Sequence, residues 1–472
     1  MNLEKAIIFG AGSFGVSSYE KLERDFHIEY FCDNDKNKWG NSIKGIKVIS
    51  PEELKLLKEH LIIVASTYYL EIIDQLIKMD LFNIAYISFN NSFLQYINDK
   101  KLNFNNYNYL SYNTNNLKCI DKKISKVLFV QVSQCIRTYK FALVLKNEGV
   151  QVDIAYLDKH PKLTYRDLKL PYANIIKIKE IDDFICFLNE SDYDIVHSSN
   201  EPDYLTNILI KSNKPIIHDS HDMMSLRGDI SNSDIIHEYM ANKYSAGNIY
   251  VDYPIKNYAV DKFNIKNKPI LVLNNFTLEE QRPKKYLNKL SEEDGEIHCV
   301  YEGGLSNDKS NHRFLEEKFL KIANNNIHVH FYTVNESKYY GELNNKHKYI
   351  HWEGVCSPNK LIEEMTRYDM GLVILNITLK NKNFLETTFP NKVFEYFNSS
   401  LPIAVDNLPI LSKFVNETKS GKVIKFDDNI YEQIKKIKLI NISEDFLEKT
   451  GFTTNSHVHE LLNFYKEVKY GV

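Results

Sequence analysis

Short apolar runs alternate with amphipathic stretches along most of the chain. In residues 1–98 the runs "KAIIF" (5–9), "IEYFC" (28–32) and "LIIVAS" (61–66) are apolar at consecutive positions. That is the mark of parallel strands covered on both faces. "SPEELKLLKEH" (50–60) has helical spacing, with Ser50 standing as N-cap and Pro51 at the first helical position. The alternation stops at 99–122, where "KKLNFNNYNYLSYNTNNL" follows neither period and reads as a linker. It resumes at 123–280, with strands predicted at 126–131, 152–156, 193–197, 215–220 and 248–252. The helix "RTYKFALVLKNEG" (137–149) in that region closes at Gly149. Residues 281–294 are charged and nearly free of core positions, a second linker. A third region, 295–442, predicts strands at 297–304, 327–334, 349–354, 370–375, 401–405 and 421–426, and 443–472 reads as a closing helix. This order predicts an α/β protein of three units whose parallel sheets present ligands at the carboxyl ends of their strands.

Composition narrows the function classes. Of 472 residues, 43% are apolar and 26% charged, enough core for three units of ordinary size. A net charge of -3 argues against a nucleic-acid partner. The cysteines (32, 119, 135, 186, 299, 356) show no paired spacing, which predicts reduced thiols and a cytoplasmic setting rather than a disulfide or zinc framework. Glu4, Lys5 and Gly10 interrupt any leader-like start, and no apolar run reaches membrane-spanning length.

Glycine is scarce, so its clusters carry information. Gly10, Gly12 and Gly15 follow the first strand in the G-x-G-x-x-G arrangement, and Asp33 ends the second strand near the spacing of a ribose-binding acid. An NAD-dependent oxidoreductase is one reading. Against it, the unit is under 100 residues and offers no second half with catalytic groups. The stretch "YFCDNDKNKWGNSIKGIKVISPEEL" instead resembles the small Rossmann-like domain at the N-terminus of bacterial sugar acyltransferases, which implies an accessory nucleotide-binding module or a scaffold.

"FPNKVFEYFNSSLPIAV" (389–405) is the most informative segment. Pro390 suits a helix start, and the free N–H groups of a first turn suit an anion such as a diphosphate, with Lys392 adding charge. Glu395 shares a helix face with Asn391, while Phe394 and Phe397 are expected to point at a sheet. On these grounds alone Glu395 is either a diol-binding carboxylate or a residue of a solvated face. The segment resembles the donor site of GT-B glycosyltransferases, the broad family 4 type above all. That resemblance implies that Glu395 holds the nucleotide ribose and that Pro390, Asn391 and Lys392 lie at the phosphates. Thr387 stands where many members carry a further glutamate, which leaves a retaining or inverting outcome open.

"YEGGLSNDKS" (301–310) looks like the phosphate-binding segment of the same family. Gly303 and Gly304 follow the strand, Lys309 falls on the Lys position, and Arg313, expected on the same helical face, stands in for an Arg that Gly304 replaces. Gly354, in "YIHWEGV", matches the turn before the nucleobase pocket, where close backbone approach is expected. "PIIHDSHDMMS" (215–225) resembles the acceptor-side strand end, which places Asp219 and His221 at the cleft with His218 and Asp222 beside them, Asp219 or His221 being candidate bases. Lone strand-end histidines are commonly structural.

By this resemblance residues 123–280 and 295–442 form two Rossmann-like lobes in a GT-B arrangement. The implied activity is transfer of a hexosyl group from a UDP- or GDP-sugar to a glycan, lipid-linked or protein acceptor in surface-polysaccharide or glycoprotein-glycan assembly. No cofactor is required, and no Asp-x-Asp metal signature stands in the cleft segments. A nucleotide-sugar 2-epimerase and a non-catalytic sugar-nucleotide binder share the same donor pocket. The basic "RPKK" (282–285) is compatible with peripheral attachment to the inner membrane face.

Overall fold

The computed structural model describes residues 3–79, 81, 83–87, 94–96, 122–132, 135–157, 169–199, 202–227, 232–265, 267–427 and 429–471. Nearly all of the 99–122 linker falls outside them. The described strands form three separate sheets.

In the first, Glu4–Phe9 lies between Phe26–Cys32 and Leu61–Val64, all parallel. Short antiparallel pairings, Ser42–Ile43 with Ile46–Ile49 and Ile84–Ile87 with Leu94–Tyr96, finish its two edges. The second sheet runs Ile175–Ile178, Gln151–Leu157, Lys126–Gln131, Ile195–Ser199, Ile216–Ser220, Gly247–Tyr250, Ile270–Val272, parallel throughout. The third runs Ile350–Val355, Ile327–Thr333, Ile297–Glu302, Met370–Val373, Ile403–Val405, Gly421–Val423, also parallel throughout. In both of these the first strand of the region sits inside the sheet and the chain winds outward from it in both directions. The strand order reverses beside Lys126–Gln131 in the middle lobe and beside Ile297–Glu302 in the C-terminal lobe. Crevices open at the carboxyl ends of strands at such reversal points.

The apolar runs become these strands because each is covered on both faces. Val127, Leu128, Phe129 and Val130 are buried without exception, as are Cys299, Val300 and Tyr301. Two elements depart from the sequence expectation. Residues 50–60 form a single 3-10 turn, Pro51–Leu56, in which the Glu53 carboxylate accepts from the Ser50 N–H (2.7 Å) and hydroxyl (2.9 Å). Leu57, at φ −120° and ψ 35°, leaves the helical region and ends the turn, and the next strand starts at Leu61. The C-terminal segment is broken into Phe446–Thr450, Asn455–His457 and Val458–Tyr470. Gly451 ends the first piece at φ +70°, a left-handed conformation that favours glycine.

Val458–Tyr470 crosses back to the middle lobe. The Tyr465 hydroxyl lies 2.7 Å from His197 Nδ1, Lys469 pairs with Asp194, and Val468 packs where a side chain at Gly247 would stand. The two lobes are therefore tied by this helix as well as by the chain at 276–278. There Phe276 meets Phe394 and Phe452, and the Asn398 amide donates to Thr277 Oγ1 (2.6 Å). The first unit packs on the middle lobe: Ile72, Ile73 and Leu76 share a core with Met223, Ile236 and Tyr239, and the Tyr244 hydroxyl donates to Asp74 (3.0 Å).

Candidate functional site

Strand Ile297–Glu302 delivers the chain to Gly303 at φ +122°, a conformation open to glycine. A Cβ on Gly303 would lie 3.3 Å from Lys392 Nζ, and one on Gly304 would lie 3.3 Å from Arg313 Nη1. The two glycines thus form a bare backbone loop between two cations. Lys392 sits over the Tyr301 ring, 3.6 Å from its centroid, and donates to the Glu302 carbonyl (2.5 Å).

Helix Lys392–Asn398 carries the next group. Tyr396, not Phe394 or Phe397, meets the sheet. Its ring lies against Gly371, its hydroxyl donates to Leu372 O (3.2 Å), and it accepts the Glu302 N–H (3.1 Å). Phe394 and Phe397 turn instead into an aromatic cluster with Phe414 that extends to Phe446 and Phe452. That apolar demand lies on the interlobe side and was invisible in the segment alone. Pro390 precedes the helix, Asn391 is its N-cap, and the Val393 N–H returns to the Pro390 carbonyl (3.2 Å).

Glu395 then meets a group that sequence reasoning missed. Its carboxyl is hydrogen-bonded to that of Glu302, which is 5% exposed. Burial, and then the charge of Glu395, raise the Glu302 carboxyl well above its ordinary value, so Glu302 keeps the shared proton. From the middle lobe, helix Ile136–Asn147 contributes Lys140, 2% exposed, whose ammonium has no hydrogen-bond partner among the described residues. Burial lowers its pKa, with Glu395 the strongest opposing charge.

A second convergence surrounds His312. Its pKa is pushed down to about 4 by burial and then by Arg313, Arg227 and Lys392. Arg227 comes from the middle lobe, pairs with Asp222 (2.9 Å) and stacks over Phe384 of the C-terminal lobe at 5.1 Å. Positive charge from both lobes is thus gathered at the Gly303–Gly304 loop, an arrangement suited to an anion.

Several expected placements change. Lys309 and Arg313 do not share a helix, since Glu316–Ala323 begins after both. Lys309 stands in an exposed turn, its carbonyl accepting from Asn376 (2.7 Å), and its ammonium has no ion-pair partner among the described residues. Gly354 lies at a bulge of strand Ile350–Val355 with φ +83°, and nothing lies within 4 Å of an added Cβ. The backbone angle, not close approach, calls for glycine there.

Asp219 does not face the cleft. It is fully buried, with Arg137 Nε at 2.8 Å from Oδ2, Arg137 Nη2 at 3.0 Å from Oδ1, and His197 Nε2 at 3.3 Å. Burial pushes its carboxyl up, but Arg137 and then His221 outweigh that and hold it well below the usual range. A carboxylate so engaged is a poor base. His221, whose Nε2 lies 3.2 Å from Asp219, is partly exposed. His218, one residue before Asp219, points to the other face, where burial drives its pKa to about 3 and Thr206 Oγ1 lies 3.0 Å from Nδ1.

In the first unit Gly10 and Gly15 are explained by packing. A Cβ on Gly10 would meet Ala65 O at 2.3 Å, and one on Gly15 would meet Gly10 O at 1.7 Å. Gly12 is the N-cap of Ser13–Leu22 and has open space around it. Asp33 is turned inward: Oδ2 accepts from the Ala11 N–H (2.7 Å) and Lys38 (2.9 Å), and Oδ1 accepts from the Asp35 N–H (2.9 Å). Its oxygens close the glycine loop on itself, so the ribose-binding role expected of an oxidoreductase is not prepared here.

Comparison with known proteins fits this geometry. Residues 311–445 match the family described as Glucosyltransferase 3-like, C-terminal domain, and residues 2–84 match C2185-like, N-terminal. No curated protein matches the chain. Among solved structures, a glycosyltransferase from Rickettsia africae is similar at TM-score 0.54 and 14% identity, covering 74% of this chain and 99% of that one. Anabaena Alr3699/HepE in complex with UDP-glucose is similar at TM-score 0.52 and 11% identity, covering 72% and 99%. Sucrose-phosphate synthase from Thermosynechococcus elongatus gives 0.51 and 11%, covering 74% and 97%. The fold is therefore that of GT-B glycosyltransferases, two Rossmann-like lobes, with a further Rossmann-like unit in front.

Proposed function

We propose that the chain is a glycosyltransferase that moves a hexosyl group from a nucleotide sugar to a glycan or lipid-linked acceptor. The observation that carries this reading is the meeting of Gly303, Gly304, Lys392 and Arg313 with Glu395 at one reversal point of the C-terminal sheet. Glu395 accepts the two hydroxyls of the ribose, a role in which a carboxylate can take two hydrogen bonds at once. The diphosphate lies on the Gly303–Gly304 backbone, with Lys392 and Arg313 beside it and Arg227 reaching in from the middle lobe. Pro390 and Asn391 border the phosphates, and Gly354 borders the base.

The chemistry follows from charge. As the anomeric bond breaks, negative charge grows on the departing phosphate oxygen. Fixed cations and N–H groups in a water-poor crevice stabilise that charge more than the ground state. The cleft segments carry no Asp-x-Asp, so these groups serve in place of a metal. On the acceptor side His221 is the base or the sugar-positioning group. Asp219, itself held by Arg137, orients the imidazole, and Asp222 keeps Arg227 at the crevice. Lys309, in its exposed turn, joins the phosphates only if the 306–313 loop closes. The first unit is an accessory docking or nucleotide-binding module. Among the described residues no helix is long and apolar enough to cross a membrane. An acceptor held on a lipid is met at the membrane surface.

The test is calorimetry with UDP and GDP, followed by incubation with labelled sugar nucleotides with and without glycan acceptors. Wild-type protein binds one of the nucleotides, and Glu395→Gln and Lys392→Ala each weaken it by about 2 kcal/mol. Equal affinity in all three proteins would remove the site. Isomerised donor without transfer would replace the reaction.

A further inference from the structure

The opposite end of the C-terminal sheet holds a cluster that sugar transfer does not use. His298, His328, His330 and His351 stack on one face of three adjacent strands, with register setting His298 opposite His328 and His330 opposite His351. Ring centroids are 4.2 Å apart for His298 and His328 and 4.5 Å for His330 and His351. Two carboxylates close the solvent side. His298 Nε2 lies 3.0 Å from Asp294 Oδ2, and His328 Nε2 lies 2.5 Å from Glu296 Oε2. Donor atoms of Asp294, Glu296 and His328 all lie within 4.8 Å of one another. Behind them His298 Nδ1 is 2.9 Å from His330 Nε2, His330 Nδ1 is 2.7 Å from Glu353, and His328 Nδ1 is 2.8 Å from His351 Nε2.

The row Asp294, His298, His330, Glu353 contains three hydrogen bonds in series. Nε2 of His298 and Nε2 of His328 each face a carboxylate, while their Nδ1 atoms face the imidazoles of His330 and His351. A dication bound to both Nε2 atoms would fix the tautomers along these rows. His298 Nδ1–H then donates to His330, His330 Nδ1–H to Glu353, and His328 Nδ1–H to His351. Two carboxylates balance the charge of the ion. Metal-bound imidazoles use their second nitrogen in this way.

We propose that Asp294, Glu296, His298 and His328 bind one divalent transition-metal ion of the zinc class, with His330, His351 and Glu353 as outer hydrogen-bond partners. Mixed imidazole and carboxylate donors suit that class. Both Nε2 atoms leave on the carboxylate side, that of His298 toward Asp294 and that of His328 toward Glu296. Rotation of His328, the more exposed ring, turns its lone pair onto a shared ion. Asp294 and Glu296 are open to solvent, which gives the ion its entry path. The site lies four residues from Glu302 along one strand, roughly 13 Å at the rise of an extended chain. Its role is to pin the 294–296 turn to the sheet, away from the transfer crevice.

The experiment uses full-length protein stripped with a chelator and titrated with Co²⁺ and Zn²⁺, with Mg²⁺ as control. Wild type takes up about one equivalent of Co²⁺ or Zn²⁺, read from calorimetry. The Co²⁺ form shows a four- or five-coordinate visible spectrum and a raised Tm, and Mg²⁺ produces neither. The double variant Asp294→Asn/Glu296→Gln leaves the core intact and loses at least tenfold in affinity. His328→Gln, read the same way, guards against a folding artefact in the first variant. Nucleotide affinity stays unchanged in all of them. Absence of stoichiometric uptake by wild type overturns the proposal, as does uptake that survives in the variants.

Discussion

Replacing Arg137 with Met tests how the acceptor side is built. Arg137 is 3% exposed and Asp219 is fully buried, joined by contacts of 2.8, 3.0 and 3.2 Å, with Arg137 also donating to Asn275 at 2.7 Å. Methionine keeps much of the volume but leaves a buried carboxylate without its cation. Breaking a buried pair from one side costs about 3–5 kcal/mol, because the surviving charge stays desolvated. The loss is partly recovered as pH falls: burial pushes the Asp219 carboxyl up, and without Arg137 to oppose that push the carboxylate itself takes up a proton. Adding Asp219→Asn removes the stranded charge, so the double variant is more stable than Arg137→Met alone. Hydrogen exchange of amides in the Ile195–Ser199 and Ile216–Ser220 strands reads this locally, which matters in a chain of several units where one global unfolding energy is ill defined. A single variant within 1 kcal/mol of wild type in those amides, or a double variant less stable than the single, would refute the account of Asp219 as a carboxylate held by Arg137.

Two further outcomes follow from the C-terminal lobe. Glu302 holds its proton well above the ordinary carboxyl value of 4.5. In the window above that value the native state binds a proton that the unfolded chain has lost, so this group's stabilisation falls as pH rises, by about 1.4 kcal/mol per pH unit. Glu302→Gln removes that slope, and the Tm of wild type minus that of the variant declines with rising pH; parallel curves would contradict the shared proton. Gly371→Ala would set a methyl 2.2 Å from the Tyr396 ring. It costs about 1–3 kcal/mol by overpacking and weakens nucleotide binding by displacing the helix that carries Lys392 and Glu395. Unchanged Tm and affinity in calorimetry would count against Tyr396 as the anchor of that helix.

Much of the architecture was legible in the chain itself. Consecutive buried apolar positions mark a strand wherever they occur, so all the interior strands of the middle and C-terminal lobes lie within a few residues of their predicted places. The meeting of Gly303 with Lys392 was legible for a related reason. A glycine pair after a strand and a basic helix start after another strand of the same sheet are both carried to the carboxyl end, whatever the loops do. Glu395 was legible as a chemical group, but its partner was not, because Glu302 looks like an ordinary strand-end residue until the helix is laid against it.

What tertiary structure alone decided is the state of the buried charges. Nothing near Asp219 in sequence signals that Arg137, 82 residues away, takes its oxygens, or that helix Val458–Tyr470 returns to the middle lobe to bond His197. Asp33 carries the right type at the right spacing, and only the fold shows it turned back onto Ala11 and Lys38. Local pattern fixes secondary structure because helix and strand periodicities act over a few residues. The ionisation and partner of a charged side chain depend on desolvation and on which distant elements come within hydrogen-bond reach, and those are properties of the packed molecule.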